Sequence, residues 1–206
     1  MKTIRLAIIL MLPIFAIAEN NAIDCQLTPA IWSVTTPPNF IQSNNLRKKN
    51  GAHNFAKGQF INIVGQVLDE NCTPVTGARV RIWQADALGH WSDEPDDMDI
   101  NFAGSGVATT DNLGRYAFFT VMPATSNNHT PYINFSIYYQ DLPPLETAMF
   151  FADRYLTNSN NKLKRQFNVA KRKLLLAKHI GYDKMENADI YEFNITLEGK
   201  LNYKQY

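Results

Sequence analysis

Phe60-Ile61-Asn62-Ile63-Val64-Gly65-Gln66-Val67-Leu68 is a β-branched, apolar run closed by the turn signal Asp69-Glu70-Asn71. Beyond that turn, Ala78-Arg79-Val80-Arg81-Ile82-Trp83-Gln84 alternates small or apolar side chains with polar ones, the period-2 signature of a half-buried strand. Working outward, residues 116–122, 132–139, 147–152 and 190–197 read as four more strands, with Gly, Pro, Asn and Asp turns between them. Many short strands separated by turns predict an all-β chain folded as a β-sandwich or barrel. One stretch has another period. Residues 161–179 contain no Gly or Pro, and Leu163, Phe167, Ala170 and Leu174 recur at helical spacing, so one amphipathic helix is predicted there, ended by Gly181. Lys164, Arg165, Lys171, Arg172 and Lys178 lie off its apolar stripe. They read either as a contact for an anionic surface or as a solvated face packed on the sandwich.

Residues 25–57, with Pro29, Pro37, Pro38, several Asn and Leu46-Arg47-Lys48-Lys49, read as an irregular arm wrapped on the core and tied down by Cys25. Ahead of the arm, Lys2 and Arg5 precede an uncharged run from Leu6 to Ala18 that ends Ala16-Ile17-Ala18 before Glu19. A basic end, a short apolar stretch and an A-x-A site match a secretory signal peptide. The run is shorter than the roughly 20 residues a bilayer span needs, and Pro13 interrupts it. Residues 1–18 are therefore expected to be removed, leaving residues 19–206 as one exported domain, periplasmic or secreted, with no membrane span. Of 206 residues, 45% are hydrophobic and 19% charged, which excludes disorder, a collagen-like repeat and a disulfide-dense mini-protein. A net charge of +1 gives no basis for a nucleic-acid partner. The only two cysteines, Cys25 and Cys72, are too few for a zinc site built on paired Cys motifs. In an oxidising compartment they would pair, closing a loop worth about 4 kcal/mol of chain entropy; two buried thiols are the other reading.

From Gly65 to Phe151 the motifs fall in a familiar order. Gly65-x-Val67-x-Asp69 is followed by Cys72-Thr73-Pro74-Val75-x-Gly77-Ala78-x-Val80-x-Ile82-Trp83-Gln84-Ala85-Asp86-Ala87-x-Gly89. Then come Asp99-x-Asn101-Phe102-x-Gly104-x-Gly106, Thr110-Asp111-x-x-Gly114-x-Tyr116-x-Phe118-x-Thr120, and Pro131-x-Ile133-x-Phe135. This text resembles the intradiol ring-cleavage dioxygenases, the family of protocatechuate and catechol dioxygenases. Cys25-x-Leu27-Thr28-Pro29 resembles the entry segment of exported members, in which the two cysteines are expected to pair. The resemblance implies a mixed-topology β-sandwich. It also implies ferric iron held by two tyrosines and two histidines, hard anionic phenolates suiting Fe(III), with an arginine and a glutamine assisting.

At every one of those positions this chain departs. Trp91 stands for the first tyrosine and Ser126 for the second. Tyr132 and Asn134 stand for the two histidines in Pro131-Tyr132-Ile133-Asn134-Phe135. His129 replaces the arginine and Ala148 the glutamine. Indole does not ligate metals and a serine hydroxyl is a poor ligand, so both phenolate positions are without an anionic donor. Tyr132 and Asn134, as i and i+2 on a strand, share a face but cannot alone reproduce a four-donor site. His90, His129 and Tyr132 form the one candidate set for a rebuilt metal centre. Asp93, Glu94, Asp96, Asp97 and Asp99 form an acidic cluster that reads as a solvated loop or, without EF-hand spacing, a Ca²⁺ site. Three glycosylation sequons begin at Asn71, Asn128 and Asn194.

Three functions follow as expectations. The first is a non-catalytic, exported binding or structural module. It would have no resident cofactor, and a cleft lined by Trp91, His129, Tyr132 and Asn134 that takes a small aromatic or glycan-like ligand. The second is a dioxygenase cleaving a catechol-type aromatic through a rebuilt Fe(III) site. The third is an envelope interaction protein whose basic helix meets a partner.

Overall fold

Strand β1 (Phe60–Leu68) lies where the apolar run predicts it, with Ile61, Ile63 and Val67 fully buried on its inner side. The computed structural model describes residues 25–31, 37, 39–92, 97–124, 130–155 and 166–201. Eight further strands follow: β2 (Arg79–Trp83), β3 (Ser105–Thr109), β4 (Arg115–Val121), β5 (Tyr132–Tyr139), β6 (Leu142–Phe151), β7 (Leu176–Asp183), β8 (Ala188–Glu192) and β9 (Ile195–Thr196). Among the described residues, two short helices, α1 (Ala152–Tyr155) and α2 (Val169–Lys173), fall between β6 and β7.

The strands run in the order β3-β2-β5-β6-β7-β8-β1-β4, with β9 added to β1. β6 and β7 pair through only two residue pairs, Phe150 with Leu176 and Phe151 with Ala177. That narrow seam lets one ladder fold into two layers, β3-β2-β5-β6 against β7-β8-β1-β4. Pairing is mixed, because β1–β8 and β6–β7 are parallel while β1–β4, β2–β5 and β5–β6 are antiparallel. Alternation decides which side chains meet between the layers. Phe135 of one layer packs at 5.1 Å from Phe193 and 6.1 Å from Tyr116 of the other, and Phe151 packs at 4.9 Å from Tyr191. The predicted β-sandwich is thus the observed one.

The arm is held by main-chain bonds to both edge strands. Val107 of β3 donates to the Ser43 carbonyl, and Phe119 of β4 donates to the Asn44 carbonyl. Gly106 is what allows this approach, since a Cβ there would stand 2.6 Å from both the Ser43 oxygen and Leu46 Cδ1. Arg47, nearly buried, fastens the next turn. Its guanidinium lies over Phe60, reaches the Ile61 and Thr120 carbonyls, and pairs with Glu186 at 2.9 Å. Cys25 and Cys72 form a disulfide with Cα atoms 5.4 Å apart.

The predicted helix over residues 161–179 is corrected from residue 166 onward; Leu163, Lys164 and Arg165 lie outside the described residues. Within the described part of it, α2 spans five residues, capped by the Asn168 side chain accepting from Lys171 N–H, and buries none of them. Ala170, assigned to the apolar stripe, is exposed. From Leu176 the chain is β7, and Gly181, taken as the helix stop, sits at a register shift opposite β8. The reason is tertiary. Leu175 and Ala177 are fully buried beside β6, and that burial outweighs a local helical period. Lys178 and Gly181 consequently belong to a strand, not to a basic helix. The predicted run 190–197 is two strands, β8 and β9, paired with opposite ends of β1.

Candidate functional site

β5 turns Ile133, Phe135 and Ile137 into the core, so Tyr132, Asn134 and Ser136 face outward from the β3-β2-β5-β6 layer. Antiparallel register sets Asn134 between Trp83 of β2 and Ala148 of β6, and sets Tyr132 beside Phe150. Three of the six positions singled out in the sequence, Tyr132, Asn134 and Ala148, therefore share one face. A fourth joins them from a loop. The Trp91 ring lies 5.6 Å from that of Tyr132, tilted by 43°, and Tyr132 in turn stacks on Phe150 at 5.7 Å. Ser126 and His129 lie outside the described residues, as do Asp93, Glu94 and Asp96.

The loop that delivers Trp91 is built by Asp86, which sequence reasoning placed in a motif without giving it a role. Its buried carboxylate accepts N–H groups from Leu88 and His90 through one oxygen and from Asp99 through the other. The Asp-x-x-Gly spacing to Gly89, an Asx-turn signature, was the available signal. His90 follows from the same loop. Its Nδ1 stands 3.8 Å from the Asp86 carboxylate and has no hydrogen-bond partner among the described residues.

The surroundings of this aromatic run are apolar. Ala148, Phe150 and Leu175 form a second buried cluster, against which Ile31, Tyr132, Phe167 and Leu176 pack. Burial pushes the Tyr132 phenol above its ordinary value, so the neutral O–H form is favoured. Asn134 contributes a buried neutral amide, and Trp91 has no atom that can ligate a metal. Those side chains do not fit a ferric ion, which needs hard anionic oxygen or imidazole donors. Among the described residues, no three His, Cys, Asp or Glu side chains converge into a metal-binding group. The carboxylate of Asp99 is spent on the loop itself, accepting from the Lys57 and Asn101 main chain.

The disulfide bears on this face. Residues 25–31 leave Cys25 and run along the free edge of β6. Thr28 exchanges bonds with Thr196, the Thr147 hydroxyl donates to the Pro29 carbonyl at 2.7 Å, and Ile31 N–H donates to the Glu146 carbonyl. This strap ends with Ile31 on the cluster that holds Tyr132.

Comparison with known proteins agrees with the architecture. A sequence model of a family described as Dioxygenase matches residues 35–199. A Rickettsia typhi protein named "Putative dioxygenase" is 34% identical over 155 residues, covering 70% of this chain and 74% of that protein. The protocatechuate 3,4-dioxygenase beta chain of Burkholderia cepacia is 31% identical over 157 residues, covering 69% of this chain and 66% of that one. The crystal structure of 3-chlorocatechol 1,2-dioxygenase from Rhodococcus opacus 1CP superposes with a TM-score of 0.65 at 19% identity. That match covers 88% of this chain and 75% of the other, a likeness of fold alone.

Proposed function

The chain belongs to the intradiol ring-cleavage dioxygenase family, and from that membership we propose that it is an exported member that binds a small ligand without the family's ferric chemistry. The observation that carries this reading is the Trp91–Tyr132–Phe150 aromatic run, which puts an indole and a burial-stabilised phenol where the resemblance implies iron ligands. Trp91 and Tyr132 are each half-exposed, so a flat aromatic compound can stack on them while the polar edge of Tyr132 orients it. The disulfide and the signal-like start, residues 1–18, both suit an oxidising compartment and support export.

A second reading keeps the dioxygenase activity through His90, His129 and Tyr132. Its support is the His90 Nδ1 atom, buried beside Trp91 without a partner among the described residues. One experiment separates the two. The protein purified from an iron-supplemented host is analysed for bound metal and for visible absorption. The binding reading expects substoichiometric iron and no phenolate-to-iron colour. Stoichiometric iron with a visible charge-transfer band, lost in His90→Ala, overturns it in favour of the rebuilt centre.

A further inference from the structure

A cavity lies away from the aromatic run and shares no residue with it. It has a volume of about 870 Å³ and opens where edge strands β3 and β4 diverge from their connecting turn. Its floor is the outer face of the β8-β1-β4 ladder. Ile63 and Phe118 point inward, so their neighbours Val64 and Ala117, directly paired, point out and form an apolar patch. Glu192 flanks Val64 on the β8 side, and the next row along carries Arg115 paired with Gln66. Asn44 of the arm closes one wall.

The polar groups around this patch are pre-oriented, each fixed at one end and, among the described residues, without a partner at the other. Gln66 Nε2 donates to the Leu113 carbonyl at 2.6 Å, leaving Oε1 as an acceptor. Asn44 Nδ2 donates to the Ala117 carbonyl, leaving Oδ1. Asn194 Oδ1 accepts the Gln66 main-chain N–H, leaving its two amide hydrogens as donors. Charge narrows the ligand class. Arg115 is neutralised by Asp111 through contacts of 2.8 Å, whereas Glu192 makes no ion pair among the described residues. The cavity is therefore weakly anionic and disfavours phosphates and carboxylates.

We propose that this cavity is a binding site for a neutral carbohydrate of one or two sugar units. Hydroxyl groups that both donate and accept match convergent amide acceptors, amide donors and a lone carboxylate. The Val64–Ala117 patch receives the C–H face of a pyranose ring. The volume falls in the range of about 300–1,000 Å³ usual for small-ligand sites.

The test is a two-dimensional amide NMR titration of the full chain with glucose, N-acetylglucosamine and cellobiose. Glycerol, inorganic phosphate and an extended polyalanine-type peptide serve as comparison probes. At least one sugar is expected to give saturable shifts of the Gln66 and Asn194 side-chain amides. Binding should weaken about tenfold or more in Gln66→Ala and, separately, in Glu192→Gln, whose shape is unchanged, with thermal unfolding midpoints confirming the fold. No saturable shift with any sugar up to about 10 mM overturns the proposal. So do shifts produced only by phosphate, or only by the peptide adding to the β3 and β4 edges in place of the arm.

Discussion

Burial raises the pKa of Tyr116, Tyr132 and Tyr191, and each reports on a different place in this sandwich. Tyr116, between the layers, donates to the Phe193 carbonyl at 2.5 Å, and desolvation, with Glu192 adding to it, holds its phenol well above the usual value. Tyr191 donates to Asp153 and is pushed up to about 12, first by burial and then by the negative charge of Asp153. A phenol whose folded pKa is raised keeps its proton longer in the folded chain. Its contribution to stability is complete below the unfolded value near 10 and is lost as pH climbs through about 12. An ultraviolet titration should therefore show a tyrosine phase near 12 that disappears in Tyr191→Phe. Persistence of that phase in the variant would contradict the assignment. Gly65 is a second residue whose role is steric. A Cβ there overlaps the Phe193 carbonyl oxygen and stands 2.7 Å from the Tyr116 hydroxyl. Gly65→Ala is expected to cost about 3 kcal/mol in denaturant unfolding, because the obstacle is main chain that cannot step aside. A loss below about 1 kcal/mol would show that β1 and β8 separate more easily than their pairing suggests. At this scale the positions Trp91, Tyr132, Asn134 and Ala148 were legible from motif order. Their packing was not, because the stack of Trp91 on Tyr132 depends on how the Asp86 loop folds over a distant strand.

Among the elements, the strap of residues 25–31 couples the disulfide to the aromatic face. It has no regular secondary structure of its own, and its attachments are the Cys25–Cys72 bond, the Thr28–Thr196 exchange and the bonds to β6. Reduction by a dithiol should release this strap first, since chain entropy assigns the closed loop about 4 kcal/mol. Hydrogen exchange measured before and after reduction should rise at the Thr28, Ile31 and Thr196 amides, the N–H groups bonded in the strap contacts, while β1, β4 and β5 stay protected. Uniform loss of protection would mean that the disulfide supports the whole sandwich instead. The same elements show where reading the sequence succeeds. β1, β2, β4 and β5 carry strong period-2 or β-branched patterns, and the structure has them within a residue of the expected bounds. β3 was missed because Ser105-Gly106-Val107-Ala108-Thr109 is made of small residues chosen for the approach of the arm. β6 was cut short by Pro143 and Pro144, which a free strand edge tolerates. β7 was taken for helix because pairing with β6 and β8, not local period, makes it a strand.

In the whole molecule the two layers present opposite outer faces, one carrying the aromatic run and the other flooring the polar cavity. The first face is where the family's chemistry would sit, and the scaffold beneath it is intact. β5 still aligns two outward positions, Tyr132 and Asn134, against Ala148, and the Asp86 loop still delivers a third, Trp91. If only the donors have changed, restoring them should restore the metal. Trp91→Tyr, Ser126→Tyr, Tyr132→His and Asn134→His made together supply two phenols and two imidazoles, the donor set that suits ferric iron. The quadruple variant should bind iron near one equivalent and become coloured through phenolate-to-metal charge transfer. Each single variant should stay colourless, because one or two donors do not displace water from ferric iron. Turnover of catechol is a stricter demand, since His129→Arg and Ala148→Gln belong to the same set and a site about 1 Å too loose holds metal without reacting. Circular dichroism dominated by β-structure, as the nine strands require, certifies that the variant has kept its fold. A folded quadruple variant that takes up no iron would show that β5 and the Asp86 loop no longer hold their positions within coordinating distance. On the proposed reading, what keeps iron out would then be the backbone and not four side chains.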